Sequence, residues 1–387
     1  MRPANRLQDF FDTYTKDLKA EDLQRLFTRD TREAYRFFTR HLDPESLKGL
    51  PRHKRAVAYL RAVFLAFTMK LSPARRIVFG ASLLMALVGL VNLFRGVGLI
   101  RVVDLPLFGG IGVPGPVFYR GTWSLLLAFL LMNLLVLLEV ADRLSLKNDL
   151  EIARDIQQAM LPSGRYGGAG FETIGFSRPA NTVGGDFYDI LPLDDGRVVV
   201  TVGDVAGKGS PAALLMALLL AMMRTLVDER LEAAELVTRL NVQVSRHAPA
   251  SRFITLFYAV FDPATGMLTY VNAGHTQPLL IRSGGAVERL TEGGIALGMF
   301  EQSRYHTGST TIQANELLAI YSDGITEAED PSGRPFDEAG LENVLKSNAA
   351  HDIADVGASV VRAVERYTAD TRLADDLTIL LLRRRDA

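Results

Sequence analysis

Four acidic positions stand beside short apolar runs in the second half of the chain. They are Asp186 in VGGDFYD, Asp204 in VTVGDVAGKGS, Asp323 in AIYSDGITE, and the pair Asp375 and Asp376 in LADDLTILLL. An aspartate at the end of an apolar strand lies where the core gives way to a cleft. Several carboxylates that converge there repel one another unless a cation neutralises them. The pattern therefore predicts a metal site built from oxygen ligands.

Oxygen ligands without His or Cys favour hard ions, because carboxylates suit Mg²⁺ and Mn²⁺. Each aspartate taken alone is better explained as a turn residue, which is the common role of Asp beside Gly. Four of them at strand ends together favour the metal site. The chain contains no cysteine, which excludes disulfides, thiolate ligands and a cysteine nucleophile.

The segments around these aspartates predict short strands and helix pairs after Gly164. Runs rich in β-branched and aromatic residues, bounded by turn residues, indicate strands, and longer periodic runs indicate helices. This order predicts an α+β layered domain over residues 164–387 and not a parallel βαβ sheet. Strands are predicted at 173–177, 187–193, 198–203, 253–261, 267–273, 279–282, 317–321 and 378–382, and helices at 211–229, 233–247, 338–348 and 353–368.

Two uncharged runs of 18 residues precede this domain, at 77–94 and 121–138. Each is long enough to cross a hydrocarbon core of about 30 Å as a helix. A pair of buried core helices is the alternative, but neither run has an amphipathic stripe, and a helix that is apolar all round is typical of a lipid environment. The Gly/Pro-rich stretch LFGGIGVPGPVFYR between them predicts a loop. Residues 77–138 are therefore expected to form a transmembrane hairpin.

Basic residues are concentrated before the first run. Seven lie between positions 52 and 76, whereas three lie between the two runs. The positive-inside rule therefore places both termini and the C-terminal domain in the cytoplasm, as in a multi-pass protein of the cell membrane. Residues 1–76 predict a cytoplasmic region of short amphipathic helices, without visible chemistry.

A continuous polar helix is predicted as a linker over 139–163, since EVADRLSLKNDLEIARDIQQAM contains neither Gly nor Pro. Its 4-3-4-3 spacing is typical of a short heptad seam that could pair two chains in a homodimer. The alternative is a helix that lies on the following domain, and three heptads do not separate the two. The seam consists of Leu146, Leu150, Ala153, Gln157 and Met160.

Two other motifs do not match the signatures that they resemble. A P-loop needs four residues between Gly and Gly-Lys, followed by Ser or Thr, whereas three residues separate Gly203 from Gly207 and a glycine follows Lys208. The segment GGDFY resembles the GGDEF signature of diguanylate cyclases but lacks its glutamate. The net charge of −1 gives no support for nucleic-acid binding.

Five ordered motifs carry a family resemblance. They are VGGDFYD, GDVAGKGSPAALLMA, NAGHTQPLLI, YSDGITEA and ADDLTILLL, preceded by EIARDIQQAMLP. Over residues 150–387 the chain resembles the bacterial branch of the PPM, or protein phosphatase 2C-like, superfamily, typified by the stage II sporulation E and stress-response phosphatases. The resemblance implies a β-sandwich flanked by helices, and the hydrolysis of phosphoserine or phosphothreonine on proteins with two Mn²⁺ or Mg²⁺ ions.

The resemblance also implies a role for each acidic position. Asp204 would bridge the two ions, with the Val205 carbonyl as a further ligand, and Asp186 would hold a metal-bound water. In the acidic pair, the family pattern puts the ligand at the first residue and an amide or acid at the second. Two ions about 4 Å apart can lower the pKa of a shared water and orient it in line with phosphorus. The predicted metal-site residues are Asp186, Asp204, Val205, Asp323, Asp375 and Asp376, with Asp204 and Asp323 as the catalytic pair.

Arg178 and Lys208 are the candidates for binding the substrate phosphate. Eukaryotic relatives use an arginine a few residues before the Gly-Asp motif, where this chain has Asn181, and relatives often have Gly where it has Asp337. By resemblance, the substrate would be a phosphorylated regulatory protein such as an anti-sigma-factor antagonist. A scaffold that has lost catalysis is the alternative, but all four acidic points are filled. A transporter is disfavoured, because the two spans carry no intramembrane charge.

Overall fold

A computed structural model describes residues 71–385 apart from 96, 106–108, 117–120, 163, 169, 250–251 and 370–372, together with scattered positions between 51 and 69. The chain divides into two compact units, Met1–Leu144 and Ser145–Ala387. The helices predicted within residues 1–50 lie outside the described residues, as does most of the stretch from 51 to 70.

The described part of the first unit contains one helix, a β-hairpin and the first part of a second helix. Helix α1 covers Pro73–Arg95, and α2 covers Thr122–Met160, so that the second predicted span and the linker helix form one helix. Strands β1 (Val97–Leu105) and β2 (Gly109–Pro116) form an antiparallel pair. The prediction of a loop in this Gly/Pro-rich stretch is therefore wrong. The preceding β-branched run supplies a pairing partner, and pairing outweighs the low strand propensity of Gly and Pro.

Among the described helices, three are long and apolar enough to cross a membrane, by length and composition alone. Two of them, α1 and α2, contain the runs predicted as spans except Gly121, and their most apolar windows are each 11% buried. The third, Ser210–Val227, is 33% buried. Because its inner face packs in the core of the second unit, its apolar composition has an explanation other than lipid contact.

The second unit contains two six-stranded sheets. Its strands are β3 (Arg165–Gly168), β4 (Phe171–Arg178), β5 (Phe187–Pro192), β6 (Val198–Val205), β7 (Ile254–Phe261), β8 (Met267–Ala273), β9 (Leu279–Ile281), β10 (Val287–Arg289), β11 (Gly293–Gly294), β12 (Gly308–Thr311), β13 (Leu317–Tyr321) and β14 (Leu377–Arg384). One sheet has the order β10-β9-β13-β14-β4-β3, and the other β11-β8-β7-β6-β5 with β12 beside β8. Only the short β11 pairs in parallel among these described strands.

Helices cover the outer face of each sheet. Those of the second unit are α3 (Ser210–Asp228), α4 (Ala233–His247), α5 (Asp323–Thr326), α6 (Asp337–Asn348) and α7 (Ile353–Tyr367). Apolar residues of α3 and α4 pack on one sheet, with Met216 and Leu240 fully buried, and those of α6 and α7 pack on the other. A third cluster, including Phe257 and Leu380, fills the space between the sheets. Each fully buried Leu or Phe contributes about 1.5–3 kcal/mol.

The predicted α+β layered domain is confirmed. Every predicted strand and helix of this unit is present, with boundaries shifted by two residues or fewer. The missed elements are β3, β10, β11, β12 and α5, which are too short to show a period and depend on their partners. Asp337 has a φ of 61°, in the left-handed region that favours glycine.

The last turns of α2 lie on the sandwich. Gln157 is 8% exposed. Its amide donates to the Gly184 carbonyl at 2.8 Å and accepts from the Gly184 N–H at 3.1 Å. Met160 packs against the core under α3 and α4, whereas Leu146 is 61% exposed. The end of the predicted seam thus faces the domain, and the pairing of two chains through its beginning stays a prediction.

Candidate active site

Strand ends bring the predicted aspartates to one edge of the sandwich. Asp186 directly precedes β5, and Asp204 is the last residue but one of β6. These two ends meet because β5 and β6 are antiparallel, with Phe187 opposite Gly203. In the other sheet, Asp323 follows β13 and Asp375 precedes β14, and these ends also meet because their strands are antiparallel.

The charges of these side chains act strongly on one another. Burial, and then the charges of Asp323 and Asp375, raise the pKa of Asp204 to about 6. Burial and Asp204 raise the pKa of Asp186 well above its usual value. Burial, Glu327 and Asp375 raise the pKa of Asp323. Like charges have such effects only when they lie close together. The edge therefore carries an excess of negative charge that a cation would relieve.

Two local features fit a divalent cation in this place. The Oδ2 atom of Asp186 is buried without a hydrogen-bond partner among the described residues. A side chain at Gly185 would place its Cβ 2.8 Å from the Val205 carbonyl oxygen and 3.1 Å from Asp204 Oδ1. Those two oxygens therefore face the space that only a glycine leaves open. An unpartnered carboxylate oxygen, a carbonyl and further carboxylates are the donors that Mg²⁺ or Mn²⁺ takes.

Lys208 reaches the same edge from the loop after Asp204. Its Nζ lies 2.9 Å from Asp375 Oδ2 and donates to the Ala374 carbonyl at 2.6 Å. The ammonium thus gives Asp375 the positive charge that a cation would otherwise supply. Within the described part of the chain, no three acidic or histidine side chains form a complete ligand cluster. The aspartates are gathered at one edge, but Asp375 is turned towards the lysine.

Asp376 differs from its neighbour, because its carboxylate is already occupied. Oδ1 accepts from the Ala180 N–H and Oδ2 from the Gly185 N–H, both at 2.7 Å. A side chain at Gly184 would collide with Oδ2, since its Cβ would lie 2.3 Å away. Asp376 therefore fixes the loop that carries Asp186.

Ser322 and His275 support the site although neither was predicted as a site residue. Ser322 joins α5 to β14, because its Oγ donates to the Asp376 carbonyl at 3.2 Å and accepts from the Thr378 N–H at 3.0 Å. His275 Nδ1 lies 3.0 Å from Thr255 Oγ1, and Thr255 is paired with Asp204 in the ladder. Burial lowers the pKa of His275 to about 4, so the ring is neutral at pH 7.

The two predicted phosphate ligands differ in their placement. Lys208 is at the aspartates, whereas Arg178 forms an ion pair with Glu365 and is 57% exposed. A different arginine lies against the loop after Asp204. Arg252 donates from Nη1 to the Ala206 carbonyl and occupies the space beside Gly207. No motif marks this arginine; it becomes visible only when β6 and β7 are placed side by side.

Comparisons with known proteins agree with this architecture. The SiaA-PP2C domain of Pseudomonas aeruginosa superposes with a TM-score of 0.55 at 20% identity, covering 64% of this chain and 99% of that one. Protein IcfG of Synechocystis sp. is 30% identical over 251 residues, which is 57% of this chain and 39% of IcfG. Phosphoserine phosphatase RsbU of Bacillus subtilis is 28% identical over 244 residues, 62% of this chain and 71% of RsbU.

The second unit thus has the PP2C-like α+β fold, with two packed sheets flanked by helices. The family model of stage II sporulation protein E (SpoIIE) matches residues 194–385, which contain Asp204, Asp323 and Asp375. This part of the chain therefore contains a domain that matches the SpoIIE family model. It spans 39% and 71% of the lengths of the two curated relatives above.

Proposed function

We propose that this chain is a metal-dependent protein serine/threonine phosphatase. The observation that carries the proposal is the meeting of Asp186, Asp204, Asp323 and Asp375 at one edge of a PP2C-like sandwich, where a buried Asp186 oxygen has no hydrogen-bond partner among the described residues. The curated relative RsbU is named as a phosphoserine phosphatase, which supports the substrate class.

The residues at this edge would have two roles, metal binding and phosphate binding. Asp186, Asp204, Asp323 and Asp375 would hold two Mn²⁺ or Mg²⁺ ions together with the Val205 carbonyl. When bound, such ions supply an activated water and offset the charge on the phosphoryl oxygens. Lys208 lies beside these carboxylates and can donate from Nζ to a phosphate oxygen.

Other residues position this set. Asp376 holds the Gly185 N–H and with it the loop of Asp186. His275 is buried and neutral behind the strand of Asp204, where it supports Thr255 without adding charge.

A direct test uses a fragment of residues 140–387 with a phosphoserine peptide and an aryl phosphate. We expect hydrolysis of both with Mn²⁺ and none after chelation. Asp323→Asn should abolish turnover while leaving circular dichroism unchanged, because Asp323 is only partly buried. A wild-type fragment that is folded and binds Mn²⁺ but releases no phosphate would favour the scaffold function instead.

We also propose that the enzyme is tethered to the cell membrane by α1 and α2. Their length and apolar composition support two spans, and the surplus of basic residues before α1 supports a cytoplasmic phosphatase domain. A topology reporter fused after Gly110 should behave as extracytoplasmic. A cytoplasmic signal at this position would rule out the hairpin.

The substrate that we propose is a phosphorylated regulatory protein of the anti-sigma-factor-antagonist type, by family resemblance. The linker helix would then connect a signal received by the N-terminal region to the site, since Gln157 is bonded to Gly184, the neighbour of Gly185. Incubation with candidate phosphoproteins, followed by phosphate-affinity electrophoresis, tests this class of substrate.

A further inference from the structure

An apolar surface lies on the same edge of the sandwich as the aspartates. Phe253, Met299 and Phe300 are 39%, 49% and 64% exposed. We call these three residues the apolar rim. Large apolar side chains exposed together, next to a candidate active site, are typical of a surface that binds a partner.

Main-chain hydrogen bonds connect the apolar rim to the loop of Asp204. The Ala206 N–H donates to the Phe253 carbonyl at 2.9 Å, and Ile254 exchanges two hydrogen bonds with Leu297. Asp204 is paired with Thr255 in the ladder. At strand spacings of about 4.8 Å across and 3.4 Å along the chain, the rim begins roughly 8 Å from the Asp204 backbone.

The apolar rim is held rigidly from below. Buried Asn241 donates to the Phe300 carbonyl at 2.9 Å and accepts from the Gly298 N–H at 2.9 Å. Gly298 has a φ of 85°, and a Cβ there would lie 2.8 Å from a Val244 methyl group and 3.8 Å from Phe253 Cα. The loop therefore lies directly against the start of β7. A fixed loop with exposed apolar side chains loses little entropy when a partner binds.

The position of the apolar rim indicates its occupant. A stable protein partner covers about 800 Å² of each surface, which is a disc of roughly 16 Å radius. A protein whose phosphoserine reaches Asp204 must therefore cover the rim as well. Arg252 and Lys208, on either side of the Asp204 loop, add positive charge that complements a phosphate. An extended chain rises about 3.3 Å per residue, so residues three to four positions from the phosphoserine lie about 10–13 Å along it, past the roughly 8 Å at which the rim begins.

We propose that the apolar rim is the docking surface for the phosphoprotein substrate and takes up apolar side chains three to four residues from the phosphoserine. This inference rests on the phosphatase function proposed above. It predicts a preference for the sequence around the phosphoserine that small phosphate esters do not reveal.

The test uses the full chain in detergent with Mn²⁺ and three substrates: p-nitrophenyl phosphate and two nine-residue peptides with a central phosphoserine. One peptide has Leu at the third and fourth positions on both sides, and the other has Ser there. Covering one large apolar side chain changes binding by about tenfold. We expect the wild type to have a KM about tenfold lower for the Leu peptide, with a similar kcat for both.

Three variants make the test specific. In Met299→Ser and Phe300→Ser the preference for the Leu peptide should disappear, while turnover of p-nitrophenyl phosphate stays at the wild-type level. Met267→Ser is the matched control, because Met267 is 50% exposed but lies at the start of β8, at the ends of the strands that are far from the aspartates. This control should keep the preference.

Each other outcome has a distinct meaning. If the wild type hydrolyses all three substrates without preference, or if the rim variants keep the preference, the docking surface is refuted and the phosphatase function stands. If sedimentation shows that the rim variants dissociate a dimer while the preference persists, the rim is a subunit interface and the proposal is wrong. If the wild type hydrolyses none of the substrates, the phosphatase function itself fails.

Discussion

The two adjacent aspartates before β14 offer a sharp test of the site, because they face different partners. Asp376 is 6% exposed and accepts two main-chain N–H groups at 2.7 Å. In Asp376→Asn one oxygen is replaced by an NH₂ group, which cannot accept from an N–H. One of the two donors must lose its partner.

The magnitude follows from the burial of these groups. A hydrogen bond to a charged acceptor contributes about 1.5–3 kcal/mol, and a buried donor left without a partner costs a similar amount. Removal of the charge also relieves repulsion of Asp186 and Asp204, but this effect is smaller, because Asp376 is the weakest of the causes that raise the Asp204 pKa. The net expectation for Asp376→Asn is a loss of about 2 kcal/mol in the free energy of unfolding.

Asp375→Asn is the matched comparison. Its side chain is 43% exposed and pairs with Lys208, which is 52% exposed, so the loss of that pair should cost less than about 1 kcal/mol. The Asp375→Asn substitution should instead raise the Mn²⁺ concentration that gives half-maximal activity. Urea unfolding of the 140–387 fragment without metal measures stability, and Mn²⁺ titration measures the site. Equal stability of the two variants would refute the proposal that Asp375 is a metal ligand and Asp376 a positioning residue.

Three further predictions test other parts of the site. The pKa of His275 is about 4 in the folded protein and 6.5 in the unfolded chain. As the pH falls, the unfolded state therefore takes up the proton first, and the free energy of unfolding falls by up to about 3 kcal/mol between pH 6.5 and 4. Urea unfolding of His275→Asn should not show this part of the pH dependence. Lys208→Met should lower the Mn²⁺ requirement by up to about fivefold, because a half-exposed pair to Asp375 is broken, while raising KM for a phosphopeptide; an unchanged titration would contradict the pairing. Gly185→Ala should cost about 1–3 kcal/mol through its clash with a carbonyl oxygen and reduce turnover, whereas Gly284→Ala, with open space around it, should behave as wild type.

The long helices and strands of the second unit can be predicted from the sequence, because the apolar residues on their buried faces recur at a regular spacing along the chain. Strand β8 begins and ends where its β-branched run does, and α4 coincides with its apolar period. The meeting of Asp204 with Asp323 follows from the placement of both at strand ends. The local sequence pattern does not show which distant strands pair, and this pairing determines which residues are neighbours in the folded sheet.

The pairing of distant strands explains the wrong loop prediction and the side-chain contacts that no local motif indicates. Strand β2 forms because a partner strand precedes it, although its own composition of Gly and Pro opposes a strand. Arg178 forms a surface ion pair with Glu365, which is 187 residues away in the chain. Arg252 reaches the loop of Asp204 only because β7 lies next to β6. Side-chain partners at such separations are properties of the folded sheet and not of any local motif.

The most direct test of the account measures Mn²⁺ binding by electron paramagnetic resonance in the 140–387 fragment, for the wild type and for Asp204→Asn. Asp195→Asn, in an exposed turn, serves as the control. The pKa of Asp204 is raised to about 6, and a cation binds the ionised form. We therefore expect wild-type affinity to rise from pH 5 to 7, together with phosphoserine hydrolysis, and to be at least about tenfold weaker in Asp204→Asn. Wild-type affinity and turnover in Asp204→Asn would contradict the central claim that this aspartate holds the catalytic metals.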